Sequence, residues 1–236
     1  MIIATGLYKR FGVVTVLRDF SLHAARGRVT AVVGPNGAGK TTFIKSVLGL
    51  TRPDRGTVRF DGVPIGDDVS YRERIGYMPQ IAHFPENLTG AELLALLRDL
   101  RNGSPADEEL VAEFELGPAL GKPLRVLSGG TRQKVNAAAA FLFSPDLYIL
   151  DEPTAGLDPV ASGILKQRIL RERAAGRAVI LTSHIMSEIE ELADDVAFVV
   201  EGRVRVAATP AELKRTTGQQ NLERAIAVLM LREAAA

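Results

Sequence analysis

A glycine-rich segment at residues 34–42, GPNGAGKTT, constrains this chain more than any other stretch of it. It satisfies the spacing GxxxxGK(S/T), follows the β-branched run VTAVV and precedes the amphipathic stretch FIKSVLGL. Glycines let a backbone fold round a phosphate with its N–H groups turned inward, and the helix that follows presents the positive end of its dipole. The loop is then a phosphate cradle, from which Lys40 reaches the outer phosphates and the Thr41 hydroxyl can ligate magnesium. Strand, loop and helix in that order call for an α/β fold with the ligand at the carboxyl end of the strand.

The rest of the chain agrees with that class. Apolar β-type runs alternate with helical patterns, as in a parallel sheet covered by helices. Val29–Val33 ends in Gly34, LYIL at 147–150 ends in two carboxylates, and AVILT at 178–182 ends in Ser183 and His184, so three buried strands close in polar residues that can share one edge. Between about 85 and 132 the pattern turns helical: Thr89 and Glu92 form a capping box before ELLALLRDL, and Ser104-Pro105 is expected to open DEELVAEFEL with proline at the first helical position. This stretch is expected to be a helical subdomain inserted into a single domain spanning 1–236. Asp158-Pro159 and Thr209-Pro210 mark two further helix starts, the second opening a short helical tail over about 209–236.

Composition narrows the function classes. Lys and Arg number 29 against 28 Asp and Glu, a net charge of +1, with the two signs interleaved. A nucleic-acid partner is therefore not expected, and any anion must be held by a local site. The chain has no cysteine, which removes disulfides, thiolate metal sites and cysteine nucleophiles. The N-terminus lacks the pattern of a secretory signal. The longest apolar runs, at 137–143 and 225–231, fall well short of the roughly 18 to 20 residues that cross a bilayer, so a membrane process would need another chain to supply the span. The arginines at 168, 171, 173 and 177, interleaved with Glu172, read as the solvated face of a helix. His23 and His83 have no partners at metal-site spacing and read as surface residues.

Two adjacent acids, Asp151 and Glu152, end the strand YIL. Asp151 can hold Mg²⁺, directly or through water, while Glu152 can polarise a water for attack on a γ-phosphate. LSGGTRQ at 127–133 is a Gly-Gly turn opening an Ala-rich helix. Taken with the phosphate loop, Gln80 in IGYMPQ, Gly156-Leu157-Asp158 and Ser183-His184, these segments resemble the ATP-binding-cassette (ABC) family across essentially the whole chain and in the family's order.

The resemblance implies a P-loop ABC ATPase domain: a RecA-like parallel or mixed sheet core, an N-terminal antiparallel β part and the inserted helices. It further implies a homodimer in which ATP lies between the phosphate loop of one subunit and the LSGG segment of the other. By this resemblance Lys40 contacts the β- and γ-phosphates and Thr41 the magnesium, while Gly34, Asn36, Gly37, Gly39 and Thr42 complete the cradle. Gln80 senses γ-phosphate and magnesium near a transmembrane partner. Ser128, Gly129 and Gly130 meet the nucleotide of the opposite subunit, Asp158 organises the dimer contact, and His184 contacts the γ-phosphate. Phe11 aligns with the aromatic that stacks on adenine, where many relatives have tyrosine. Thr131 stands where the family's commonest motif has glutamine, and Ala155 where serine is common.

The expected activity is hydrolysis of ATP to ADP and phosphate, with ATP and Mg²⁺ as cofactors, coupled to integral membrane permease subunits at the cytoplasmic face of the inner membrane. The alternative is a soluble ABC ATPase scaffold in an assembly machine such as iron–sulfur cluster biogenesis, which would share every nucleotide motif. LSGGTRQKVNAAAAFLF, LTSHIMSEIEELADDVAFVVEGRV and NLERAIAVLM are similar to ABC ATPases that pair with ABC-2-type permeases. Among these they are similar to the ATPase of nitrous-oxide-reductase maturation, a copper-site assembly system that allows for a periplasmic accessory partner. This chain itself, with no cysteine and no clustered His or Met, is not expected to carry copper.

Overall fold

A computed structural model describes residues 1–101 and 105–234. The chain opens with the strands β1 (Ile2–Phe11) and β2 (Val14–Ala24), passes through β3 (Val29–Val33) into helix α1 (Lys40–Val47), and returns with β4 (Arg55–Phe60) and the short β5 (Val63–Pro64). After β6 (Ile75–Met78) come four helices: α2 (Gly90–Leu100), α3 (Glu109–Glu113), α4 (Gly117–Leu120) and α5 (Gly129–Ala140). Then β7 (Leu147–Asp151), α6 (Pro159–Ala174), β8 (Ala178–Thr182) and α7 (Met186–Leu192) alternate. The chain closes with β9 (Asp195–Val200), β10 (Arg203–Ala208), α8 (Pro210–Thr217) and α9 (Leu222–Ala234).

These strands form two sheets. An antiparallel sheet has the order β2-β1-β4-β5, and a six-stranded sheet has the order β10-β9-β3-β8-β7-β6. In the larger sheet every neighbouring pair is parallel except β9 with β10. Because side chains alternate across a strand, its central strands feed two cores. Tyr148 and Leu150 join Ala31 and Val33 under the helices, whereas Leu147 and Ile149 join Val32 beneath the antiparallel sheet and α1. Phe141 stacks on Tyr148 at 4.4 Å on the first side, and Phe20 on Phe43 at 4.7 Å on the second. No helix of the described residues is long and apolar enough to cross a membrane.

Local capping places the helices as the sequence suggests. Thr89 and Glu92 form a reciprocal capping box, as do Thr209 and Glu212, and Asp158 accepts the Ala161 N–H at 2.8 Å. The expected helix start at Pro105 is not observed. Ser104 lies outside the described residues, and α3 begins only at Glu109. Tertiary contacts take over the intervening stretch: the Asp107 N–H donates to the Leu142 carbonyl at 2.7 Å, and its carboxylate accepts from both the Glu109 N–H and Arg168.

Arg168 also corrects the solvated-face expectation. It is 3% exposed and donates to Glu172 at 2.7 Å, Glu109 at 3.0 Å and Asp107 at 2.5 Å. Burial opposes its charge, yet the hydrogen bond to Asp107 and the field of Glu172 hold its pKa above the ordinary guanidinium value. Arg177 pairs with the other Glu172 oxygen, and Arg171 reaches Glu109 and Glu113. Removing one partner of a buried pair strands the other charge, so Arg168→Leu is expected to lower unfolding stability by about 3 kcal/mol or more. Urea unfolding checks this. An unchanged midpoint would show that the cluster contributes nothing.

Candidate functional site

The three strand ends do share one edge. Asp151 and Thr182 are register partners at the ends of β7 and β8, and Ala31 of β3 pairs with Leu181 of β8 two residues before β3 ends. From β3 the chain enters the glycine-rich loop, which is clamped between two other strands. A Cβ on Gly34 would lie 2.0 Å from the Val199 carbonyl oxygen of β9. One on Gly39, where φ is +105°, would lie 2.9 Å from the Val16 carbonyl oxygen of β2. Only glycine fits such close approaches, and the loop so held delivers Lys40 and Thr41 at the start of α1.

A cavity of about 180 Å³ lies in front of this loop, lined by Asn36, Gly37, Gly39, Lys40, Thr41, Thr42, Gln80, Asp151, Glu152 and His184, with Val16 as an apolar wall. Lys40 Nζ donates to the loop's own carbonyls, Gly34 at 2.7 Å and Pro35 at 3.1 Å. Burial pulls the Lys40 pKa down, while Glu152 and Asp151 oppose that shift. A desolvated ammonium whose bonds are to neutral carbonyls is suited to exchange them for phosphate oxygens.

The acid pair is held by β8. Thr182 Oγ1 donates to Asp151 Oδ1 at 2.5 Å and accepts the Glu152 N–H at 3.1 Å. Glu152 has a φ of +53°, a left-handed conformation unfavourable for a side-chain-bearing residue. This turn directly after the strand carries the glutamate into the cavity. His184 Nε2 lies 3.2 Å from Glu152 Oε1, and the His184 N–H donates to Oε2 at 3.3 Å. Burial raises the Glu152 pKa above its ordinary value, partly offset by His184. A carboxylate so placed is a better proton acceptor than a free one. Thr41, Gln80 and Asp151 offer hydroxyl, amide and carboxylate oxygens, the hard donors that suit Mg²⁺. No cluster of three or more acids and histidines forms a metal cage among the described residues, so such an ion would take further ligands from phosphate and water.

Other candidates lie outside this cavity lining. Ser128 caps α5, its Oγ accepting the Thr131 N–H at 3.2 Å, and Gly129 and Gly130 form the first turn. A Cβ on Gly130 would come within 3.0 Å of the Gly156 carbonyl, and Lys134 pairs with Asp158 at 2.9 Å, so the LSGG and Gly156-Leu157-Asp158 segments are joined within the chain. Phe11 ends β1 half exposed, with Lys9 Nζ 5.4 Å from its ring centre. His23 and His83 are exposed. Larger cavities, of about 300, 640 and 240 Å³, lie away from the phosphate loop and the acid pair, and His23 lines the second of them.

Three contributors escaped the sequence reading. Thr182 passed as the last residue of a strand, although a threonine beside Ser183-His184 is a hint. Gln133 and Asn136 passed as members of an Ala-rich helix. Both are buried: Gln133 donates to the Pro153 carbonyl at 3.2 Å, Asn136 to the Pro79 carbonyl at 2.9 Å, and Asn136 also to Gln133 at 3.3 Å. They tie α5 to the segments that bear Glu152 and Gln80.

The model of the ABC transporter family matches residues 17–155, more than half of the chain. The chain is 35% identical over 217 residues to the Nod factor export ATP-binding protein I of Ralstonia nicotianae, covering 88% of this chain and 67% of that protein. It is 36% identical over 224 residues to the daunorubicin/doxorubicin resistance ATP-binding protein DrrA of Streptomyces peucetius, covering 92% and 68% respectively. A solved structure of the ATP-binding subunit of an ABC transporter superposes with a TM-score of 0.91 at 33% identity, covering 98% of this chain and 99% of that one. An ATP-binding cassette solved as a dimer in a post-hydrolysis state with ADP and phosphate shares the fold, with a TM-score of 0.79 at 23% identity over 89% and 98% of the two chains. The chain therefore belongs to the ABC transporter family, as an ATP-hydrolysing, ATP-binding subunit of the ABC-2 type.

Proposed function

We propose that two copies of this chain close around two ATP molecules and that hydrolysis there drives a partner permease at the cytoplasmic face of the inner membrane. The observation that carries the dimer is the incompleteness of one chain's cavity. It gathers the cradle, both acids, Gln80 and His184, while the helix N-terminus at Ser128, a second group suited to an anion, opens elsewhere. A second copy brings that terminus to the nucleotide, a reading supported by the cassette of the same fold that was solved as a dimer bound to ADP and phosphate.

Within such a dimer Lys40 and the loop N–H groups hold the β- and γ-phosphates, and Phe11 offers its face to adenine. Mg²⁺, held by Thr41, Asp151 and Gln80, supplies charge neutralisation on the phosphates. Glu152 orients the attacking water and accepts its proton, and His184 steadies the geometry at the γ-phosphate. Asp158, tied to α5 through Lys134, lies where it can couple the dimer contact to the LSGG turn.

A transporter subunit is favoured over a soluble assembly scaffold because the relatives reported above are named for export and drug resistance. Those names also favour export of small organic molecules as the process served. Service to copper-site assembly of nitrous-oxide reductase, with its periplasmic accessory protein, rests on the likeness of three segments to that system's ATPase. Solubilising a tagged chain from its own cells in mild detergent and identifying what travels with it tests these readings. A membrane-spanning chain is expected; a soluble scaffold in its place would overturn the transport reading, and the identity of the membrane chain decides between the cargo classes.

A further inference from the structure

We propose that Glu188 is a positioning residue for hydrolysis, its carboxylate bolting the loop that bears His184 to the loop that bears Glu152 through the Thr154 hydroxyl. The inference rests on the assignment of Glu152 and His184 to the reaction and adds what sets their separation.

The two loops leave the larger sheet side by side and then lose its support. The last register pair of β7 and β8 is Asp151 with Thr182, and beyond it no ladder bonds hold residues 153–155 against 183–185. Three side chains bridge that gap. Thr154 Oγ1 donates to Glu188 Oε2 at 2.6 Å, Ser183 Oγ lies 3.4 Å from the same oxygen, and Ser183 Oγ also accepts the Ile185 N–H at 3.0 Å. Thr154 stands two residues after Glu152, Ser183 one before His184 and Glu188 four after it, so this polar group flanks the catalytic pair. Thr154 and Ser183 are 6% and 4% exposed. A hydrogen bond between a hydroxyl and a carboxylate in such surroundings is charge-assisted and short, and one shared acceptor holds both donors in register.

Glu188 is itself anchored. It lies in the first turn of α7, where the helix dipole favours an acid. Two residues on, facing away from Glu188, Glu190 pairs with Lys214 of α8 and accepts the Leu222 N–H of α9 at 3.3 Å. Ile189 and Leu192 are buried in the same core as Leu213, Leu222, Ala225 and Ile226. The C-terminal helices thus fix α7, α7 presents Glu188, and Glu188 holds the Thr154 loop. His184 and Glu152 inherit their 3.2 Å contact from this chain of supports. Lys40 and Thr41 reach the cavity from β3 and α1, on different supports.

That division predicts which kinetic quantity moves. A misplacement of reacting groups by an ångström costs rate without removing a phosphate ligand. In the full chain, Thr154→Val is expected to lower kcat roughly tenfold while the Kd for ATP stays within about twofold, and Thr154→Ser, which keeps the hydroxyl, is expected to restore kcat. Glu188→Gln keeps one acceptor oxygen and is expected to lose kcat in the same direction. Combining it with Thr154→Val should add little, because the charge it removes acts through the bond that Thr154→Val has already deleted. ATP affinity, single-turnover rate and thermal midpoint are measured for each folded variant beside Glu152→Gln. Wild-type turnover of Thr154→Val next to an inactive Glu152→Gln would overturn the positioning role alone. Retained turnover in Glu152→Gln would overturn the base assignment and this proposal with it. A serine variant as slow as the valine variant, or multiplicative losses in the double variant, would also overturn it.

Discussion

Glu152→Gln is expected to bind ATP as the parent does and to hydrolyse it at least about 100-fold more slowly, a barrier rise of about 2.7 kcal/mol or more. The substitution conserves size and hydrogen-bonding reach but removes the ability to take a proton. The geometry makes it a clean test. The Glu152 backbone is anchored by Thr182 through its N–H, so the left-handed turn survives the change, and the amide oxygen still accepts the His184 N–H. Trapped with ATP and unable to discharge it, the dimer should accumulate and be visible by size-exclusion chromatography. Wild-type turnover in this variant would remove Glu152 as the base. Lys40→Ala is the complementary lesion. It deletes the ammonium that Gly34 and Pro35 hold toward the cavity, so nucleotide affinity itself should fall and the ATP-dependent dimer should not form.

What the sequence disclosed was what neighbouring residues encode. The cradle is written in consecutive letters because its geometry needs glycine where Val199 and Val16 press on the backbone, and Lys40 follows one residue later. The capped helix starts at Thr89, Asp158 and Thr209 are legible because the capping side chain and its N–H partner sit three residues apart. The edge that gathers Gly34, Asp151 and Ser183 follows from three apolar runs each ending in polar residues. Arg168 is placed by contacts that no local pattern encodes. Its alternation with Glu172 describes an i,i+4 pair on a helix, but Asp107 and Glu109 come from about 60 residues earlier and bury it. The same contact accompanies the later start of α3: Asp107 is held by Arg168 and Leu142, and its carboxylate accepts the N–H of Glu109, where the helix begins. Thr182, Gln133 and Asn136 were hidden for a related reason: each acts on a backbone carbonyl or carboxylate that is distant in the chain and adjacent only once the sheet is assembled.

Ser128→Asp is expected to leave ATP binding intact and to abolish steady-state hydrolysis, if Ser128 faces the nucleotide of the opposite subunit. Aspartate is as good an N-cap as serine, so α5 keeps the acceptor for the Thr131 N–H and the fold should be undisturbed. What changes is charge: a carboxylate replaces a neutral hydroxyl where a γ-phosphate must approach, and like charges at that range resist closure. Binding and turnover would separate in one variant, which a lesion within the variant's own cradle would not produce. Mixing Ser128→Asp with Lys40→Ala subunits makes the demand stricter. In a mixed dimer both lesions fall on one composite site and the other site is intact. Equal mixing makes half the dimers mixed and leaves half their sites whole, so independent sites would return about a quarter of the parent rate from two inactive proteins. The parent's turnover should also rise with its own concentration, and more steeply without the permease that would hold two copies close. A parent enzyme that stays monomeric with ATP and turns over at a concentration-independent rate, or a Ser128→Asp protein with parental activity, would remove the shared site.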